Sequence, residues 1–121
     1  MDEQDDRPPD IETMRAVTAS LLADDAQLPR YEDLELMLLQ LRGHLMLLIP
    51  IVEDIACVLS ARDVPAQCAL PGVSAARDRL NDVPAAVEKV GLVSEVRRAQ
   101  RLARSVDALC DHYENLNGIR T

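Results

Sequence analysis

The chain has 121 residues, a formal charge of −8, no Phe, no Trp and two Tyr. That length suits one domain burying roughly two-thirds of its unfolded surface, so a core forms without disulfides or a structural metal. The core must be Leu, Val, Ile, Met and Ala, which favours helices over sheets, while the acidic balance and the shortage of stacking aromatics oppose nucleic-acid binding.

Asp2, Glu3, Asp5 and Asp6 are followed by Pro8 and Pro9. Residues 1–9 therefore read as a disordered acidic leader, and residues 10–121 as a single helical bundle domain. The leader lacks the basic and apolar regions of a secretory signal, so a cytoplasmic location is expected. Asp10 is a good N-cap for a first helix over about 11–25, with Glu12 in its first turn. Ile11, Met14, Thr18 and Leu21 form its inner stripe.

The second helix, about 30–61, carries the strongest pattern. Tyr31, Leu34, Leu38, Leu41, Leu45, Leu48, Val52, Ile55 and Leu59 alternate steps of three and four. This is a heptad seam made for packing along neighbouring helices. Pro50 removes one helical donor, and its ring predicts a kink. The apolar run 45–52 lies between Arg42 and His44 on one side and Glu53 and Asp54 on the other, too short to span a membrane.

A second apolar stripe lies behind the seam: Leu36, Leu39, Gly43, Met46 and Pro50. An ordinary bundle helix is polar there. A second copy of the chain, cover by the first helix, or an apolar ligand could each occupy it. Gly43 would allow close backbone approach.

Asp63 and Pro65 mark the start of a third helix, 64–81, with Ala66, Ala69, Val73, Ala76 and Leu80 on one face. Pro71–Gly72 predicts a kink or break in it. The fourth helix begins either near Pro84 or near Leu92, and its seam is Val96, Ala99, Ala103, Val106, Cys110 and Tyr113. Asn117–Gly118 is its stop. The expected fold is all-α: an up-down four-helix bundle with a long, proline-kinked second helix.

His44, beside the seam, reads as a half-buried, hydrogen-bonded residue. His112 stands among Asp111, Tyr113 and Glu114, which gives either a candidate acid–base cluster or a solvated helix end. Parallel second and fourth helices would separate the two histidines by roughly 20 Å along the bundle axis. The residues three before them are Leu41 and Leu109, so the Glu-x-x-His pattern of di-iron bundles is missing. With no HExxH, CxxC, phosphate loop or dinucleotide fingerprint, neither metal nor cofactor is expected. Cys57, Cys68 and Cys110 are expected to be small buried hydrophobes, with a thiol cluster near the second turn as the alternative. Arg97, Arg98, Arg101 and Arg104 form a basic stripe, read as a solvated face pairing with Glu95, Asp107 or nearby acids, the alternatives being nucleic acid or an acidic or phosphate-bearing partner.

The segments "LRGHLMLLIP", "VPAQCALPGVSAARDRL" and "AQRLARSVDALCDHYENL" resemble successive parts of a family of small actinomycete helical proteins, known as natural product biosynthesis proteins of unknown function. The resemblance covers about residues 30–117. Pro71 stands where that family carries small residues. The resemblance implies a secondary-metabolite setting and transfers no catalytic residue. The expected function is that of an accessory or interaction protein, homodimeric and with a possible protein partner, rather than an enzyme. A cofactor-free enzyme or binder of an apolar natural-product intermediate is the alternative, using His44, Arg42 and Glu53 or His112, Tyr113 and Glu114. A nucleic-acid-binding regulator is the third.

Overall fold

The computed structural model describes residues 9–23, 29–59, 62–81 and 91–117. The leader up to residue 8, the expected helical positions 24–25 and 60–61, and the stretch 84–90 lie outside these. Four helices are present: α1 (Ile11–Leu22), α2 (Tyr31–Val58), α3 (Val64–Asn81) and α4 (Leu92–Leu116).

Their ends follow local chemistry. The Asp10 carboxylate accepts from Thr13 N at 3.1 Å and from Thr13 Oγ1 at 2.7 Å, which starts α1. Asp63 starts α3 in the same way, its Oδ2 accepting from Ala66 N at 3.0 Å. Gly91 is the N-cap of α4, which settles its start at Leu92, and Asn117 is its C-cap. Two helices end sooner than the periodicity predicts. Ala23 turns extended after α1 and Leu59 after α2, so Leu59 leaves the seam and stands exposed.

The predicted break at Pro71–Gly72 does not occur, since α3 is continuous from Val64 to Asn81. Pro71 lies about two turns into the helix and is exposed. The helix α2 is one element of 28 residues with Pro50 inside it.

Side-chain contacts give the directions. Arg15 of α1 reaches Asp107 and Asp111 of α4, while the later Leu21 carbonyl accepts from the earlier Gln100. The helices α1 and α4 are therefore antiparallel. Gly72 faces His112, and Arg79 bonds to Arg101 and Ser105, so α3 and α4 are antiparallel too. Arg42 donates to the Leu80 carbonyl and Arg77 to Glu53, which sets α2 against α3 in the same sense. The result is an up-down bundle.

The bundle is not a square. The helices α2 and α4 pack on each other, α3 lies across both, and α1 rests chiefly on α4; among the described residues α1 and α3 do not touch. The seam supplies the core: Leu34, Leu41, Leu45, Leu48 and Val52 of α2 meet Ala99, Leu102, Ala103, Val106 and Leu109 of α4, all essentially inaccessible. Small residues on α3, Ala66, Ala69, Val73 and Ala76, let it sit close against that pair.

The apolar content of α2 is not confined to the run 45–52. By length and composition alone, Glu32–Val58, at mean hydropathy 1.5, is long and apolar enough to cross a membrane. In the bundle, however, its seam is filled by the chain's own helices, an arrangement compatible with a soluble protein.

Candidate functional site

The face of α2 behind the seam has no cover within the described chain. Leu36 is 58% exposed, Leu39 68%, Met46 64% and Leu47 47%. Gly43 and Pro50 are exposed between and beyond them. A Cβ added at Gly43 would meet nothing within 4 Å. Cover by α1, one of the three occupants the sequence allows, is therefore not what the fold provides, because α1 is drawn onto α4.

A polar network fastens it there, beside the buried Met14 and Leu21. Arg15 donates to Asp107 Oδ1 at 3.0 Å, to Asp111 Oδ1 at 2.8 Å and to Glu114 Oε1 at 2.6 Å. The three acids follow the spacing i, i+4, i+7 and so share one face of α4. Against the cost of burial, Asp111 and Glu114 hold the Arg15 guanidinium charged, well above its ordinary range.

This network dismantles the expected acid–base cluster. Asp111 and Glu114 face α1, whereas the His112 ring lies against Gly72 of α3, with Nε2 2.9 Å from where a Cβ would stand. Tyr113 packs against the core. The sequence reading missed Arg15, although the acidic spacing at 107, 111 and 114 was a signal for a cation opposite.

His44 is half-buried on α2. Contrary to expectation, its enclosed Nδ1 has no hydrogen-bond partner among the described residues. Burial holds its pKa below the usual range, and Asp10 at the start of α1 opposes this in part. His44 and His112 thus turn to opposite flanks of the α2–α4 pair and are not brought together. The other polar groups near the proline turn are engaged in helix packing: Arg42 donates to the Leu80 carbonyl at 3.1 Å, and Glu53 binds Arg77 at 2.9 and 3.1 Å.

On α4, Arg97, Arg101 and Arg104 point to solvent, and Arg98 is half-buried with Glu95 at 3.5 Å. Asp107, expected to pair with this stripe, serves Arg15 instead. Arg79 of α3 lies alongside, donating to the Arg101 carbonyl at 3.1 Å and to Ser105 Oγ at 2.9 Å, and adds a charge that the sequence pattern did not reveal.

The cysteines divide. Cys110 is buried and its thiol is pushed up to about 11 by burial. Cys57 and Cys68 are exposed, against the expectation that all three are buried, because each points outward on its helix. Among the described residues no group of three or more His, Cys, Asp or Glu is placed to hold a metal ion.

A family model described as a family of unknown function (DUF6415) matches residues 12–118. No curated protein and no solved structure matches the chain.

Proposed function

We infer, for a chain that belongs to the family of unknown function DUF6415, a non-catalytic role: a small helical accessory protein that works through protein contacts, as a homodimer, in the cytoplasm of a cell making a natural product. The observation that carries this reading is the apolar stripe Leu36, Leu39, Met46 and Leu47, exposed along a helix whose other side is fully packed. Leaving several large apolar side chains in one exposed row is costly for a monomer, and such rows mark contact surfaces.

Acids among the groups suggested for catalysis take part in helix packing, which supports this reading. Asp111 and Glu114 bind Arg15, and Glu53 binds Arg77. The basic stripe Arg97, Arg101 and Arg104, with Arg79, is the second contact, for an acidic protein partner. The biosynthetic setting rests on the segment resemblance alone.

Light scattering on the wild-type chain and on Leu39→Glu/Met46→Glu tests the reading. The wild type should give twice the chain mass and the variant one chain mass with unchanged helicity. A wild type that stays monomeric at high concentration would overturn it. Salt-sensitive retention on a polyanion column, lost in Arg97→Glu/Arg101→Glu, would favour a nucleic-acid role instead.

A further inference from the structure

Most of the exposed stripe of α2 is symmetric about Gly43, the exception being Met46, whose counterpart is Gln40. Leu39 and Leu47 lie four residues to either side, Leu36 and Pro50 seven, and Glu32 and Asp54 eleven. At 100° per residue all of these fall within about 40° of the Gly43 direction, so they form one narrow line along the helix. Read from either end, the line runs acid, apolar, Leu, Gly, Leu, apolar, acid.

A foreign partner has no need of this symmetry. A two-fold axis perpendicular to α2 does, because it sets each residue of one copy against its mirror position in the other. Gly43 points the same way. A glycine in mid-helix weakens the helix relative to alanine. Among the described residues nothing lies within 4 Å of its missing Cβ, so their packing gives no reason for it. At the centre of a helix crossing, it removes the side chain where the two backbones come closest.

We propose that two copies associate antiparallel through α2, with Gly43 on the two-fold axis, Leu39 against the partner subunit's Leu47 and Leu36 against the partner subunit's Pro50. This rests on the homodimer reading above and adds direction and register to it. The acids Glu32 and Asp54 bound the apolar line at both ends, and Arg30, 3.6 Å from Glu32, offsets part of the repulsion there. An apolar line of roughly 21 Å is short for a stable complex, so the association is expected to depend on concentration.

The test uses the full chain with Cys57→Ser/Cys68→Ser, the two exposed thiols, as background. Leu39→Cys and Leu47→Cys are made singly in it, and both proteins are checked for dimer mass by light scattering. They are then treated with a short bismaleimide, separately and as a mixture. The proposal expects cross-linked dimer from the mixture and its loss in either protein alone. Cross-linking of each protein alone would show a parallel pair, and dimers that never cross-link would show a different face; both overturn this register while leaving the homodimer intact. Monomers throughout, in the wild type as well, would overturn both.

Discussion

Arg15 and Glu114 stand 99 positions apart in the chain and meet at 2.6 Å, the shortest of three bonds by which one guanidinium fastens α1 to α4. Without Arg15, the carboxylates at 107, 111 and 114 would lose the cation that bridges them. Arg15→Met is expected to lower stability by about 1 to 2 kcal/mol, a figure reduced for partial solvent access. Adding Asp111→Asn/Glu114→Gln should restore part of this by removing the repulsion. Urea denaturation of the three proteins measures it; an Arg15→Met midpoint equal to wild type would show that the network holds nothing.

Gly72 and His112 are coupled across the α3–α4 contact. Alanine at position 72 should strengthen the helix by about 1 kcal/mol where nothing opposes it. Here its Cβ would meet His112 Nε2 at 2.9 Å, so the ring must move aside. The expected outcome is a larger gain from Gly72→Ala in a His112→Ala background than in the wild type. Equal gains in the two backgrounds would mean that the ring yields freely.

His44 gives the bundle a pH dependence. Its folded pKa lies below the ordinary value because burial disfavours the charged ring, an effect that Asp10 offsets in part. The unfolded chain therefore takes up the second ring proton first. Stability is full above the unfolded pKa and declines as pH falls below about 6.5. The depressed carboxyls of Asp10 and Glu53 act in the same direction, but only in the acid range below them. His44→Leu should lose less melting temperature than wild type between about pH 7.5 and 5.5. Identical losses would remove His44 from the account.

Thiol chemistry should separate the cysteines. Cys57 and Cys68 are accessible, whereas Cys110 is enclosed and its thiolate is disfavoured by burial. An aromatic disulfide reagent should titrate two thiols in the native protein and a third only after denaturation. Three fast thiols would show that the α4 core opens readily.

Much of this fold was legible in the chain, because helical periodicity is a local signal. The seam from Leu34 to Val52, the caps at Asp10 and Asp63 and the extent of α3 all follow from side-chain type and spacing. What failed was long-range or compensated. Pro71–Gly72 looks like a breaker locally, but α3 packs close on α4 there, with His112 filling the space that Gly72 leaves. The acids beside His112 look like a catalytic group until Arg15, far away in sequence, claims them. The exposed line of α2 was visible as a pattern; that α1 leaves it open is a matter of long-range packing on α4.

The central claim is that this line, centred on Gly43, is where two copies meet. Sedimentation equilibrium of the wild type and of Gly43→Leu over a range of concentrations tests it most directly. Among the described residues nothing lies within 4 Å of a Cβ added there, so the variant should keep its helicity and melting behaviour. The account predicts a concentration-dependent dimer for the wild type and a monomer for Gly43→Leu. A wild-type monomer at every concentration, or a Gly43→Leu protein that dimerises as well as the wild type, would contradict it.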